Sequence, residues 1–235
     1  MANNITRWEN ENPPNLLLAI DPGASYPGRQ RQEQIPYAGA ALFQWGQLVR
    51  AATIKCPVYA VRKVIKEDGE EAKESLKVPP FARPNQLVRT ECSELGFARH
   101  GGVRDGGGAF CRKCARGGRT DIGEALTVLA VENPLIYKHG TARPADIVAL
   151  KCIYGAFMGG IDADFYSGPS PEEWKGSTDG TQMTERVVTV LNATERTMLM
   201  MSDAQGDDSL SSHTLDAVGL GLFVLGRAGK GMVIG

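Results

Sequence analysis

Residues 16–23 read LLLAIDPG, and this stretch constrains the fold more than any other. A short unbroken apolar run is the pattern of a strand buried on both faces, and Pro22-Gly23 ends the run at once. Asp21 therefore stands at the end of a core strand. A carboxylate in that place is expensive unless a cation or a strong donor meets it. Taken alone, Asp21 also fits a turn aspartate that accepts backbone N–H bonds, so the decision falls to residues elsewhere in the chain.

The same form recurs at 126–132. LTVLAV runs into Glu132, and Asn133-Pro134 breaks the run. Between the two, residues 37–43 and 48–54 flank Gln44-Trp45-Gly46-Gln47 as a hairpin, and 58–65 reads as a further strand, so an antiparallel meander opens the sheet. Residues 141–158 carry Ile147, Leu150, Tyr154, Phe157 and Met158 at helical spacing, with Pro144 in the first turn and Gly159-Gly160 as the stop. A short strand at 163–166, a loop at 169–176, one helix over 181–201 and a last helix capped by Ser212 and ended by Gly226 complete the pattern. That order predicts an α/β architecture with a mixed sheet. In such a sheet the strands ending in Asp21 and Glu132 are neighbours, with both carboxylates at the C-terminal edge where open α/β sheets place their sites.

The last helix adds His213 and Asp216, three residues apart and hence on one face. Asp216 lies in an otherwise apolar run, LDAVGLGLFVLG, where an unpartnered carboxylate has little reason to be. If the apolar side packs on the sheet, three carboxylates and an imidazole converge. Hard oxygen donors gathered this way suit Mg²⁺ or Mn²⁺ rather than zinc. Two such ions orient a water, polarise a phosphodiester and stabilise the leaving oxygen. The chemistry implied is hydrolysis of nucleic acid.

IDPG at 20–23, the strand ending Val131-Glu132, and HTLDAVGLGL at 213–222 together resemble the RuvC-type Holliday-junction resolvases of the ribonuclease-H-like, or retroviral-integrase, superfamily. The loop PSPEEWKG at 169–176 is similar to one in phage and mobile-element members. The resemblance implies a three-stranded antiparallel meander plus parallel strands flanked by helices. It implies Asp21, Glu132 and Asp216 as metal-binding carboxylates with His213 in the fourth position, and two Mg²⁺ (or Mn²⁺) ions per site. It also implies a homodimer acting on branched DNA, in recombination or repair, without an organic cofactor. Two departures stand out. The gap between Asp21 and Glu132 is longer than in the bacterial resolvases, and their basic junction-binding helix is not recognisable here.

That gap holds an insertion at 66–119, between the third and fourth strands, while residues 1–15 read as a polar, partly disordered lead-in to a single domain over 16–235. From Arg83 to Arg119 there are eight Arg or Lys against three Asp or Glu, within a chain whose net charge is −1. A basic, Gly-rich segment in a chain of neutral overall balance points to local phosphate contacts, for which Arg112, Lys113, Arg116 and Arg119 are candidates, joined by Arg29 and Arg31 in the first loop and by Lys175, while Trp174 beside it, a further candidate nucleic-acid contact, reads equally as a ring that stacks on a base or one that anchors its loop. Cys92, His100, Cys111 and Cys114 form a candidate structural zinc knuckle, and Cys56 and Cys152 read as core residues. With no signal-peptide pattern and no apolar run of membrane length, the sequence reads as cytoplasmic, with no membrane partner. Three rivals remain. Asp21-Pro22-Gly23-Ala24-Ser25 also fits the phosphate loop of actin-like and sugar-kinase ATP-binding proteins, though these pair two such domains. A catalytically dead DNA-binding relative is disfavoured by the presence of all four site residues. A related nuclease acting on RNA–DNA hybrids or other DNA shares the same site chemistry.

Overall fold

The computed structural model describes residues 3–22, 35–56, 59–65, 70–77, 126–135, 144–161, 163–204 and 212–232. Strand β2 (Leu16–Pro22) lies at the centre of the sheet. It pairs antiparallel with β3 (Ile35–Gln44), which pairs antiparallel with β4 (Gln47–Cys56). On its other side β2 pairs parallel with β7 (Thr127–Val131), followed by β8 (Phe165–Ser167) and a short edge strand β1 (Asn3–Asn4), also parallel. An antiparallel meander continued by parallel strands, with helices on both faces, is a ribonuclease-H-like arrangement. The β3–β4 turn has Trp45 at φ 52° and Gly46 at φ 74°, the double positive φ of a type I′ hairpin, whose twist matches that of the strands.

Side-chain alternation sorts the core into two layers. Leu16, Leu18, Ile20, Leu129 and Val131 face helix α1 (Pro144–Gly160), whose Ile153 and Phe157 are buried against them. Leu17, Ala19, Val128 and Ala130 face the opposite layer, built from α2 (Pro171–Trp174), α3 (Gly180–Val190), α4 (Ala193–Ala204) and α5 (Ser212–Val224). Asp21 continues the odd-numbered set of β2 and Glu132 the even-numbered set of β7. Period two thus sends both carboxylates to the α5 side.

Helix α5 sits unusually deep because it carries glycines where the sheet and its neighbours press in. A Cβ on Gly221 would stand 2.1 Å from Phe43 Cε2, and one on Gly219 would stand 2.8 Å from both Trp174 and Val187. In β3, a Cβ on Gly39 would meet the His213 carbonyl oxygen at 1.9 Å. Gly39 is the residue paired with Asp21, so its missing side chain lets the start of α5 reach the carboxylate.

Several expectations are corrected. Of the residues read as a polar, partly disordered lead-in, those from Asn3 on are built into the fold: β1 pairs with β8, and Trp8, only 7% exposed, packs edge-on against Phe165 at 5.4 Å. One buried indole outweighs the polar composition around it. The strand β5 (Tyr59–Ile65) does not extend the meander but pairs with β6 (Glu71–Lys77), drawn from the charged stretch at the start of the insertion, in a separate two-stranded sheet. The single helix expected over 181–201 is two, because Leu191 is extended and Asn192 and Glu195 exchange capping bonds that start α4. Ser212 is the first residue of α5 rather than its cap. Cys152, read as core, is exposed on the outer face of α1. Among the described residues no helix is long and apolar enough to cross a membrane.

Candidate active site

Asp21 is 2% exposed at the end of β2. Its Oδ2 lies 2.7 Å from Nδ1 of His213, in the first turn of α5. The hydrogen bond to Asp21 is the main reason the imidazole is held above its ordinary pKa; burial opposes this, and the charges of Asp21 and Asp216 add to it. The Nδ1–H therefore donates to the carboxylate. Thr214, the next residue, shares a 2.8 Å hydroxyl–hydroxyl hydrogen bond with Thr53 of β4, which ties the helix start to the meander.

Glu132 follows β7, and its backbone N–H donates to the Ile20 carbonyl at 2.9 Å, extending the β2–β7 ladder by one step. That bond keeps Glu132 beside Asp21. Its carboxylate accepts from Trp174 Nε1 at 2.8 Å and lies 3.4 Å from Lys175 Nζ. Burial, reinforced by the charge of Asp21, pushes Glu132 up to about 8, against the opposing pull of Lys175 and the Trp174 bond. Asp216, one turn into α5, accepts from Lys175 Nζ at 2.7 Å. It too is raised, first by burial and then by Asp21, against the pull of the Lys175 charge. Burial alone would lower Lys175, but Glu132, Asp21 and Asp216 together hold its ammonium above its ordinary range.

The residues that deliver Trp174 and Lys175 were expected to form a loop. They form the short helix α2 instead, started by a capping box: Ser170 Oγ accepts from the Glu173 N–H, and the Glu173 carboxylate accepts from the Ser170 N–H at 2.7 Å. The signal was present in Ser170-Pro171-Glu172-Glu173, a serine three residues before a glutamate with proline at the first helical position. The cap fixes the side chains that follow it. Trp174 is fully buried, so it cannot stack on a base, and its expected role at a nucleic-acid surface is corrected: it is the donor that orients Glu132. Lys175 lies over the Trp174 ring at 4.7 Å and is aimed into the carboxylates.

The fold thus brings Asp21, Glu132, His213 and Asp216 to one edge of the sheet, from elements far apart in sequence. It adds Lys175 to the same cluster. Among the described residues no group of three or more His, Cys, Asp or Glu side chains is arranged to hold a metal ion. Two carboxylates are held by the Lys175 ammonium and the third by His213. Carboxylate oxygens are the hard donors that divalent cations such as Mg²⁺ take. Three carboxylates share one lysine and one imidazole, and burial first, then the charge of Asp21, raises Glu132 and Asp216. Arg29, Arg31, Cys92, His100, Cys111, Cys114, Arg112, Lys113, Arg116 and Arg119 lie outside the described residues, as does the Gly23–Ser25 part of the alternative phosphate loop.

No protein-family model matches the chain, and no curated protein matches it. Among solved structures, that of Thermus thermophilus RuvC is similar, at 14% identity and a TM-score of 0.33, covering 88% of this chain and 92% of that one.

Proposed function

We propose that the chain is a divalent-metal-dependent endonuclease that hydrolyses phosphodiester bonds in DNA, with branched, four-way DNA as its substrate and a homodimer as its working form. One observation carries the reading: strands β2 and β7 and helix α5 each deliver a carboxylate to one place, Asp21 buried and Glu132 and Asp216 mostly covered, with Lys175 and His213 as their cationic partners among the described residues. Crowded, covered carboxyls raised above their ordinary range cost the fold, and a cationic ligand relieves that cost. The choice of branched DNA rests on the resemblance of IDPG, Val131-Glu132 and HTLDAVGLGL to the resolvases.

Asp21, Glu132 and Asp216 would hold Mg²⁺ or Mn²⁺, which when bound polarises the phosphodiester and activates water. The chain's own residues do the rest. Trp174 fixes one oxygen of Glu132. His213 is fixed in turn by Asp21 and, one-third exposed, presents its other ring nitrogen as a proton carrier at the edge of the site. Lys175 holds Asp216 and screens its repulsion from Glu132.

The test has two arms. Mg²⁺ should raise the melting temperature of the wild-type protein and not that of Asp216→Asn, since a ligand stabilises only the state that binds it. A panel of four-way junction, flap, duplex and RNA–DNA hybrid in Mg²⁺ and Mn²⁺ should show paired nicks on the junction. Absence of both metal stabilisation and cleavage removes the nuclease reading. Cleavage of the hybrid in preference to the junction removes only the substrate.

A further inference from the structure

One lysine meets Glu132 and another meets its neighbour Asn133, and they are held in opposite ways. Lys175 is neutralised by carboxylates. Lys151 lies on the exposed side of α1, and its ammonium donates to the side-chain oxygen of Asn133, the residue after Glu132, while resting over the Tyr154 ring at 5.8 Å. Both partners are neutral, and among the described residues Lys151 forms no ion pair with a carboxylate. An amide oxygen and an aromatic face orient an ammonium without cancelling its charge.

The cradle is itself anchored. The Asn133 N–H donates to the Pro169 carbonyl at 3.0 Å, and the Tyr154 hydroxyl fits against Gly168, where a Cβ would stand 2.4 Å away. Side-chain alternation in β7 sends Glu132 to the α5 side and Asn133 to the α1 side of the same sheet edge. The carboxylates and the Lys151 ammonium thus lie on either side of one strand end.

We propose that Lys151, held by Asn133 and Tyr154, is a positioning residue that takes a backbone phosphate of the bound nucleic acid next to the one cleaved. The inference rests on the nuclease reading and adds to it the path of the strand: across the end of β7, from the carboxylates to the outer face of α1. A cation arranged to meet a phosphate needs a fixed direction and a charge not cancelled by a carboxylate; Lys151 has the first and, among the described residues, the second. A lysine serving only to tie β7 to α1 would hold Asn133 equally well without contributing to affinity for a polyanion.

The experiment is the salt dependence of binding to a labelled four-way junction, without divalent ions, between about 50 and 200 mM salt. Lys151→Met keeps the apolar stem and removes the charge. Its log–log slope should be shallower than wild type by about 0.9, so that over this range its affinity falls about 3.5-fold less. Lys151→Arg should keep the wild-type slope, and the melting temperatures of both variants should stay near that of wild type. A Lys151→Met protein with wild-type slope and affinity overturns the proposal while the nuclease reading stands. So does one that loses its melting temperature but keeps its slope. A wild-type protein that binds no nucleic acid here overturns the proposal, and one that also shows neither metal stabilisation nor cleavage overturns both.

Discussion

Two clusters of buried charge lie at opposite ends of the central strands, and they are built on opposite principles. At the hairpin end, Glu195 of α4 is 1% exposed and meets Arg227 with both oxygens, at 2.5 and 2.8 Å, while accepting from the backbone N–H groups of Leu48 and Asn192. Burial there is opposed by more than enough donors, and the carboxyl is held below its ordinary range. At the other end, Glu132 and Asp216 share one lysine and are held above theirs. The first cluster is satisfied by the chain and serves the fold. The second is buried against too few donors to hold its carboxyls down, which marks it as the candidate site.

The sharpest way to break this contrast is to neutralise a carboxylate at the unsatisfied end. Asp216→Asn keeps the shape and removes the charge, and it should lower Mg²⁺-dependent cleavage by about a thousandfold or more, because groups that act as a unit fail together. Retention of cleavage by purified Asp216→Asn would mean that the two ends do not differ in kind.

Stability should respond with opposite signs. Glu195→Gln leaves Arg227 half-buried without its counter-charge and should cost about 2–4 kcal/mol, or roughly 5–10 °C in melting temperature. Glu132→Gln removes a repelled carboxylate and should raise the melting temperature in the absence of divalent ions. The pH dependence follows from linkage. Glu195, depressed in the folded state, contributes stability at pH above the ordinary carboxylate range, and that contribution is lost as pH falls through its folded value. Glu132 binds its proton more tightly folded than unfolded, so its burden is absent near pH 4.5 and grows as pH rises toward about 8. Melting curves of the two Gln variants across that range would sharpen the comparison, and parallel curves would erase it.

How much of this was legible in the residues differs between elements for physical reasons. Asp21 and Glu132 could be read because an apolar run that ends in a carboxylate is a local pattern, and Asp216 because it interrupts an apolar helix. Their convergence followed from the parallel pairing of β2 and β7. The pairing of Lys175 with Asp216 could not be read, because it depends on where α2 places its last turn. The capping box that makes α2, and the Asn192–Glu195 pair that splits the long helix in two, were visible as short polar spacings, but hydrophobic periodicity spoke louder. The end of the lead-in was misread for the converse reason: a polar composition conceals a single tryptophan that docks.

Gly39 offers a smaller perturbation that separates position from charge. Gly39→Ala puts a methyl group where the His213 carbonyl now sits, and the first turn of α5 must move off β3. The overpacking should cost about 1–3 kcal/mol. A shift of even about 1 Å in His213 and Asp216 should cost about a hundredfold in cleavage, with the fold kept by circular dichroism. If activity falls no further than stability explains, the close approach at Gly39 serves packing alone.

The smallest expected effect bears on a single hydrogen bond. Trp174→Phe keeps a ring in the same pocket and removes the indole N–H that Glu132 accepts at 2.8 Å. That bond works against burial in holding the carboxyl down, so without it Glu132 should ionise at higher pH still. The acid limb of the pH–rate profile should move upward by about one unit, which corresponds to about 1.4 kcal/mol and is the worth of one hydrogen bond to a charged acceptor. At the hairpin end, loss of one donor among several shows in melting temperature and not in rate. Here the shift in the limb should exceed any change in stability. A limb that stays in place would show that Trp174 fills space beneath the site without setting the charge of Glu132.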